Sequence, residues 1–370
     1  MDIAFDGRAL SSPAGGIRRY VGELWRAMQV SVPDVHGVAI GGDPARARAL
    51  GVRHQPVGWS LPTNPGWCAW ALPRGVACAG AEVFHAPAYT APLWGARPLV
   101  VTLHDVSYER HPEWYPHQSD PLRRAFYRHS ARRADLVITD SVFSQQEITA
   151  AYGIDPSRIH VVPLGVSSLF SPSDTVPREP VVLHVGDLHP RRNLQMLWAT
   201  VRRLRRDVPA LGALRLVLVG TDRGSRDALL AEAGRDGLAE ALLHVSQIDD
   251  EGLRQWYRQA AVMAYPSRYE GFGLPLLEAM ACGTPVVASR ASSIPEVTGD
   301  AARLVDPLDA EGWFAALRRV LCDRAEAGHL SEAGVAQAAR FTWARTARMT
   351  ADVWREAAAR GAHGRHLVPS

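Results

Sequence analysis

SRYEGFGLPLLEAMACGTPVVAS, residues 267–289, packs a strand end, a glycine loop, a helix and the next strand into one short stretch. Gly271 and Gly273 allow close backbone approach, Pro275 suits a first helical turn, and Gly283 suits a helix end ahead of the strand-forming PVVAS. Loop amides that run into a helix N-terminus make a site for an anion such as phosphate. Glu270 stands just before the loop and Glu278 about one turn into the helix, so two carboxylates border whatever binds there. Carboxylates accept hydrogen bonds from vicinal hydroxyls. A ligand with sugar hydroxyls beside a phosphate therefore fits both ends of the stretch.

Outward from this stretch, short apolar β-branched runs alternate with helical segments along the chain, the pattern of βα units on parallel sheets. The runs are Ile3–Phe5, Pro98–Asp105, Asp135–Ser141, His160–Val166, Val181–Asp187, Leu214–Thr221, Ala261–Ser267 and Pro285–Ser289. So many strands exceed one small doubly wound unit. SSLFSPSDTVPREP, residues 167–180, is rich in Ser and Pro and reads as a linker. The expected organisation is an N-terminal Rossmann-like domain over 1–170, a second over 171–345, and a segment 346–370 whose helix packs back on the first domain before a frayed tail. The last helical stretch is expected over about Glu332–Arg360, with GAHGRHLVPS as the tail. Ligands of such sheets bind beyond the carboxyl ends of the strands, so two facing domains would enclose a cleft.

The 370 residues include 41 Lys and Arg against 38 Asp and Glu, 47% apolar and 21% charged. This composition suits about two globular domains and excludes disorder, collagen and a disulfide scaffold. A formal net charge of +3 calls for no nucleic-acid partner. Cys68, Cys78, Cys282 and Cys322 form no CxxC pair and read as buried small hydrophobes in a reducing cytosol. No secretory leader pattern follows Met1, and charge or Pro interrupts every apolar run before the roughly 18 residues that span a bilayer. A cytoplasmic protein is expected, with peripheral contact at the inner face of the membrane left open.

Three further strings carry chemistry. In VVLHVGDLHPRRNLQML, residues 181–197, a buried strand ends at Gly186, and Arg191 and Arg192 precede a helix. Two guanidinium groups there would neutralise a diphosphate and stabilise its departure, although Asp187 beside them must point away or pair with an Arg. In VVTLHDVSYERHPEWY, residues 100–115, His104 ends a strand and can donate a hydrogen bond to a sugar hydroxyl, with Asp105 tuning its charge. In DGRALSSPAGGIRRYVGEL, residues 6–24, Gly15 and Gly16 separate the first strand from a helix beginning near Ile17, without the GxGxxG of a dinucleotide site. Arg124, Arg128 and Arg132 share one helical stripe that could meet anionic lipid but more often marks a solvated face. Trp67 and Trp70 read as core.

Glu270 and Glu278 in this setting resemble the E-x(7)-E motif of retaining glycosyltransferases of family four, and the resemblance extends over nearly the whole chain. It implies an α/β fold of GT-B architecture, two facing Rossmann-like domains with an inter-domain cleft, acting on a nucleoside-diphosphate sugar. It implies that Glu270 faces the donor sugar without acting as a covalent nucleophile, and that Glu278 binds the ribose. The segment around Arg191 and Arg192 is similar to the family's VG-x-L-x-P-R-K-N string, whose basic residues contact the donor phosphates. His104 matches the family's active-site histidine, and Gly15 and Gly16 its first glycine loop. Gly271, Phe272, Gly273 and Leu274 form the loop and helix start. Ser246–Ile248 fits the base-holding loop, with Ile248 on the nucleotide. Glu270, His104 and Arg192 are the expected catalytic set. The resemblance implies no metal and no cofactor beyond the donor, mannose from GDP-mannose as first candidate, and a saccharide or lipid-linked acceptor in polysaccharide or glycoconjugate synthesis. A nucleotide-sugar epimerase, a phosphorylase-like enzyme and a non-catalytic sugar-nucleotide binder are the competing readings.

Overall fold

The computed structural model describes residues 1–58, 63–96, 98–115, 120–173 and 175–365, with backbone alone at 363–365. The chain forms two compact units: Met1–Gly165 with the chain from Thr342 onward, and Val166–Phe341. The change of unit thus falls a few residues before each expected boundary, 170 and 345. The Ser- and Pro-rich segment is also no free tether. Phe170 is buried against the Tyr257 ring at 5.7 Å, and Arg258 Nε donates to the Ser171 carbonyl at 2.8 Å.

In the first unit the strands are β1 (Asp2–Asp6), β2 (His36–Ile40), β3 (Arg53–Gln55), β4 (Val83–Ala86), β5 (Leu99–Thr102), β6 (Leu136–Thr139) and β7 (Ile159–Val161). They pair in parallel in the order β3-β2-β1-β4-β5-β6-β7. The second unit holds β8 (Glu179–Val185), β9 (Arg215–Val219), β10 (Leu242–Val245), β11 (Ala260–Tyr265), β12 (Val286–Ser289) and β13 (Arg303–Val305), also parallel, in the order β10-β9-β8-β11-β12-β13. Each order reverses once, between β1 and β4 and between β8 and β11. At such a reversal the connections leave in opposite directions and open a crevice at the carboxyl ends of the two strands.

Buried strands such as LVVT in β5 and LVIT in β6 are apolar on both faces, because helices cover both sides of a parallel sheet. The covering helices show the matching period. Leu194, Leu197, Trp198, Val201 and Leu204 form the buried stripe of the helix Leu194–Asp207, and Tyr20, Val21, Leu24, Trp25 and Met28 that of Gly15–Ser31. The expected single helix near the C-terminus is two, Arg324–Ala338 and Trp343–Arg365. The second runs through the stretch expected as a frayed tail as far as Arg365, and His366–Ser370 lie outside the described residues. Among the described residues no helix is long and apolar enough to cross a membrane. Cys68 and Cys282 are buried, with thiols pushed up to about 12 by that burial, whereas Cys78 and Cys322 are exposed, contrary to the expectation for all four.

The helix Trp343–Arg365 packs on Gly15–Ser31. Its Trp354 is fully buried, stacked on Trp25 at 5.6 Å and set against His85 at 5.3 Å, while Trp25 stacks on Phe5 of β1 at 5.0 Å. A C-terminal aromatic side chain thereby completes the core of the N-terminal unit. Trp354→Ala is expected to cost about 3–5 kcal/mol by cavity formation. A lowered urea midpoint checks this; an unchanged midpoint would show that the aromatic stack contributes nothing.

Candidate functional site

In the second unit the loops after β8 and β11, the two strands at the reversal, bring the site together. Gly186 follows β8 with φ +142°, a conformation that favours glycine, and a Cβ there would touch the Arg192 guanidinium at 3.4 Å. A short 3₁₀ turn, Pro190–Arg192, then places Arg192 over the end of β11. Arg192 is buried, and its Nη1 donates to the Tyr265 hydroxyl at 2.6 Å and to Ser267 Oγ at 3.0 Å. It also forms an ion pair with Glu270, itself 5% exposed. Burial lowers the Arg192 guanidinium below the usual arginine range; Tyr265 opposes that shift and Arg191 adds to it. Behind the pair, burial and Arg192 hold His184 down to about 3, so its neutral ring stacks on Tyr265 at 5.5 Å.

The glycine loop is held from the turn that follows β12. Glu270 N donates to Ser292 Oγ at 2.9 Å, and Ser293 Oγ donates to the carbonyls of Glu270 at 3.0 Å and Phe272 at 3.1 Å. Gly273 has φ +106° and a Cβ there would meet Leu276 at 2.9 Å, so this position calls for glycine before the helix Leu274–Ala281. Gly271 and Phe272 are buried and Leu274 is half-buried. Arg191 is half-exposed and its carbonyl accepts from Arg268 N at 2.8 Å, tying the arginine turn to the loop that carries Glu270. Asp187 pairs with Arg223 at 3.1 Å, which answers the repulsion a carboxylate so close to a diphosphate would cause.

Glu278 is 4% exposed and its Oε2 accepts from the Tyr257 hydroxyl at 2.8 Å. Tyr257 belongs to the helix Asp250–Gln259, whose first turn touches Ile248; a Cβ on Gly252 would meet that side chain at 2.7 Å. Ile248 and Glu278 are therefore linked through one helix. Tyr257, Tyr265, Ser267, Ser292 and Ser293 were not singled out in the sequence. Tyr265 and Ser267 could have been, because both lie in the strand-end run AVMAYPS where functional residues of a parallel sheet belong.

His104, Gly15 and Gly16 lie in the first unit. His104 follows β5, and its Nδ1 lies 2.8 Å from Oδ2 of Asp140, which follows β6 and is 2% exposed. Burial works against charge on the ring, yet the Asp140 carboxylate, its hydrogen bond, Asp105 and the Pro87 carbonyl together raise the pKa of His104 above the ordinary histidine value. Asp105 Oδ1 also accepts from Ser107 N at 3.1 Å and from Ser107 Oγ at 2.8 Å. Gly15 and Gly16 are exposed in the first turn of the helix Gly15–Ser31, which starts two residues earlier than expected. The same helix carries Tyr20, whose ring meets His104 edge-on at 4.8 Å.

The basic stripe has internal partners. Arg124 and Arg128 bind Glu109 at 2.6 and 3.3 Å, and Arg132 Nε donates to the Tyr152 carbonyl at 2.8 Å. This stripe braces the helix Pro121–Arg133 against its neighbours. Trp67 is buried and donates to Asp6 at 3.1 Å, whereas Trp70 is 55% exposed, so only the first fits the core reading. Among the described residues no three His, Cys, Asp or Glu side chains gather as metal ligands do.

Comparison with known proteins gives two family matches, Glycosyltransferase Family 4 over residues 14–170 and Glycosyl transferases group 1 over residues 179–323. The O-antigen chain mannosyltransferase B of Escherichia coli is 30% identical over 93% of this chain and 96% of its own. The MMP alpha-(1->4)-mannosyltransferase of Mycolicibacterium hassiacum (strain DSM 44199 / CIP 105218 / JCM 12690 / 3849) is 35% identical over 71% of this chain and 66% of its own. Among solved structures, a sucrose-phosphate synthase from Thermosynechococcus elongatus superposes with a TM-score of 0.76 at 24% identity, covering 96% of this chain and 98% of that one. The pair of parallel α/β domains is that of GT-B glycosyltransferase structures.

Removing one member of a buried ion pair strands the other. Arg192→Met is therefore expected to cost about 3–5 kcal/mol, and adding Glu270→Gln to recover most of that loss. Urea unfolding of both variants checks this; equal losses would show that the two charges do not depend on each other.

Proposed function

The chain belongs to glycosyltransferase family 4 and is a glycosyltransferase, and from that premise we propose that it moves a hexose from a nucleoside-diphosphate sugar to a hydroxyl acceptor with retention of the anomeric configuration. Mannose is the first candidate sugar, supported by two mannosyltransferase relatives, with GDP-mannose as the donor to try first. A saccharide acceptor, free or lipid-linked, in the assembly of a polysaccharide or glycoconjugate suits the same relatives. The observation that carries the reading is the buried Arg192–Glu270 pair at the reversal of the second sheet, with Glu278 held on Tyr257 beside it.

The chemistry follows from those positions. A diphosphate in the loop would meet the N-terminal amides of the helix Leu274–Ala281 and the guanidinium groups of Arg191 and Arg192. These fixed positive groups stabilise the charge that grows as the bond to the sugar breaks, so the reaction asks for no metal ion to do so. Glu270 is a poor candidate for covalent attack, because Arg192 neutralises its carboxylate; it acts on the donor sugar by position and charge. The acceptor hydroxyl attacks from the face the diphosphate leaves, and a departing phosphate oxygen takes its proton. Glu278 accepts hydrogen bonds from the ribose hydroxyls, and His104 donates one to the sugar.

Two measurements test the reading. In a thermal-shift panel of GDP-mannose, UDP-glucose and dTDP-rhamnose, the true donor at about a hundredfold its Kd adds about 2.7 kcal/mol of stability, and GDP-mannose is expected to give the largest shift. Glu270→Gln is expected to lower kcat by about a hundredfold or more while that shift persists. Full transfer by Glu270→Ala or Arg192→Ala would overturn the site assignment.

A further inference from the structure

We propose that Asp140 is a positioning residue for His104, gripping Nδ1 so that Nε2 carries the proton offered to a hydroxyl of the substrate. This rests on the reading of His104 as an active-site residue and adds a partner that no sequence motif had marked.

The parallel register creates the pair. Thr102 of β5 lies opposite Ile138 of β6, and two residues further along each strand stand His104 and Asp140. Leu103 N donates to the Ile138 carbonyl at 2.9 Å, Thr139 Oγ1 to the Leu103 carbonyl at 2.7 Å, and Ser144 Oγ to the His104 carbonyl at 3.2 Å. The backbone is thus fastened on both sides of the histidine. The ring is walled by two tyrosines met edge-on, Tyr20 at 4.8 Å and Tyr89 at 6.2 Å. Tyr89 holds φ +51°, a left-handed conformation costly for a bulky residue and often found where a site must be shaped.

Chemistry then fixes the proton positions. An ionised carboxylate can only accept, so the 2.8 Å contact requires N–H at Nδ1. Nε2 is buried and makes no well-formed hydrogen bond among the described residues, although the Pro87 carbonyl lies near the ring. The charged and titratable groups around the ring are Asp140 and Asp105, which favour its charge, together with His85, held down to about 3 by burial, and Tyr20 and Tyr89. Among the described residues, burial opposes charge on the ring, and the Asp140 and Asp105 carboxylates outweigh it and keep the ring doubly protonated over a wider pH range than an isolated histidine. A buried N–H left unsatisfied costs free energy. A sugar hydroxyl that accepts from Nε2 relieves that cost when the substrate binds, and the bond remains available as the sugar distorts.

The test compares Asp140→Asn, Asp140→Glu, His104→Ala and the Asp140→Asn/His104→Ala double variant, using the donor that gives the largest thermal shift. Asparagine can still bond Nδ1 but lends no charge. Asp140→Asn is expected to lower kcat by about ten- to a hundredfold, the worth of a charged hydrogen bond, with KM for the donor little changed. Activity that needs the charged ring is lost as pH rises through the pKa of His104. That alkaline limb should therefore move down by about one unit or more in Asp140→Asn and stay near its original place in Asp140→Glu. The imidazole titration followed by NMR should move with it, a readout that needs no substrate. In the double variant the asparagine should add nothing to the loss from His104→Ala, because Asp140 acts through the ring. If His104→Ala transfers normally, the reading of His104 fails and this inference with it. If His104→Ala is impaired but Asp140→Asn keeps its rate and alkaline limb, or adds its loss in full to the double variant, the inference alone fails. Should Asp140→Asn not fold, an alkaline limb in Asp140→Glu lowered as far as expected for the amide overturns it, and an unmoved one supports it.

Discussion

A guanidinium withdrawn from water needs partners for its charge, and Arg192 imposes that requirement on everything around it. An unpaired buried ion costs several kcal/mol. Tyr265, Ser267 and Glu270 must therefore converge on one point, which fixes where β11 ends and where the glycine loop begins. Glu270 is then held through its backbone by Ser292 and Ser293, and Gly186 has to remain small beside the guanidinium. The pair is neutral as a whole. The turn can therefore stay folded without an anion, while its two members remain next to the amides that an anion would seek.

The first unit meets a related demand with weaker charges. His104 and Asp140 occupy matching positions past neighbouring strands, so sheet register does there what a buried ion pair does in the second unit. In the first unit the geometry comes from strand register, and in the second from a buried pair carried by two loops that follow strands.

Much of this was legible in the chain. The string 267–289 shows its strand, loop and helix directly, because glycine and proline punctuate it and its apolar runs are continuous. The long helices show their period. Among the described residues five strands fall outside the apolar runs read in the sequence, β2, β3, β4, β10 and β13, and most are short or polar: β3 is Arg53–His54–Gln55 on an edge, β4 includes His85, β10 includes His244, and β13 spans three residues. Neither hydropathy nor β-propensity marks such segments, since neighbouring strands decide their pairing. Asp140 illustrates the same limit within the site. TDS at the end of β6 is an ordinary strand end until the register sets it beside His104. The arginine stripe at 124, 128 and 132 shows the same limit, because a helical period cannot reveal that Glu109 and the Tyr152 carbonyl partner it.

The chain leaves the first unit at Gly165 and re-enters it at Thr342, and Trp354 fills its core from beyond the whole of the second unit. The first sheet is synthesised before the second, yet the helix that closes it is synthesised only after the whole of Val166–Phe341. Order of synthesis and order of completion are therefore reversed for the two units. Until that helix docks, the Trp25 and Phe5 face of the nascent chain lacks its aromatic cover.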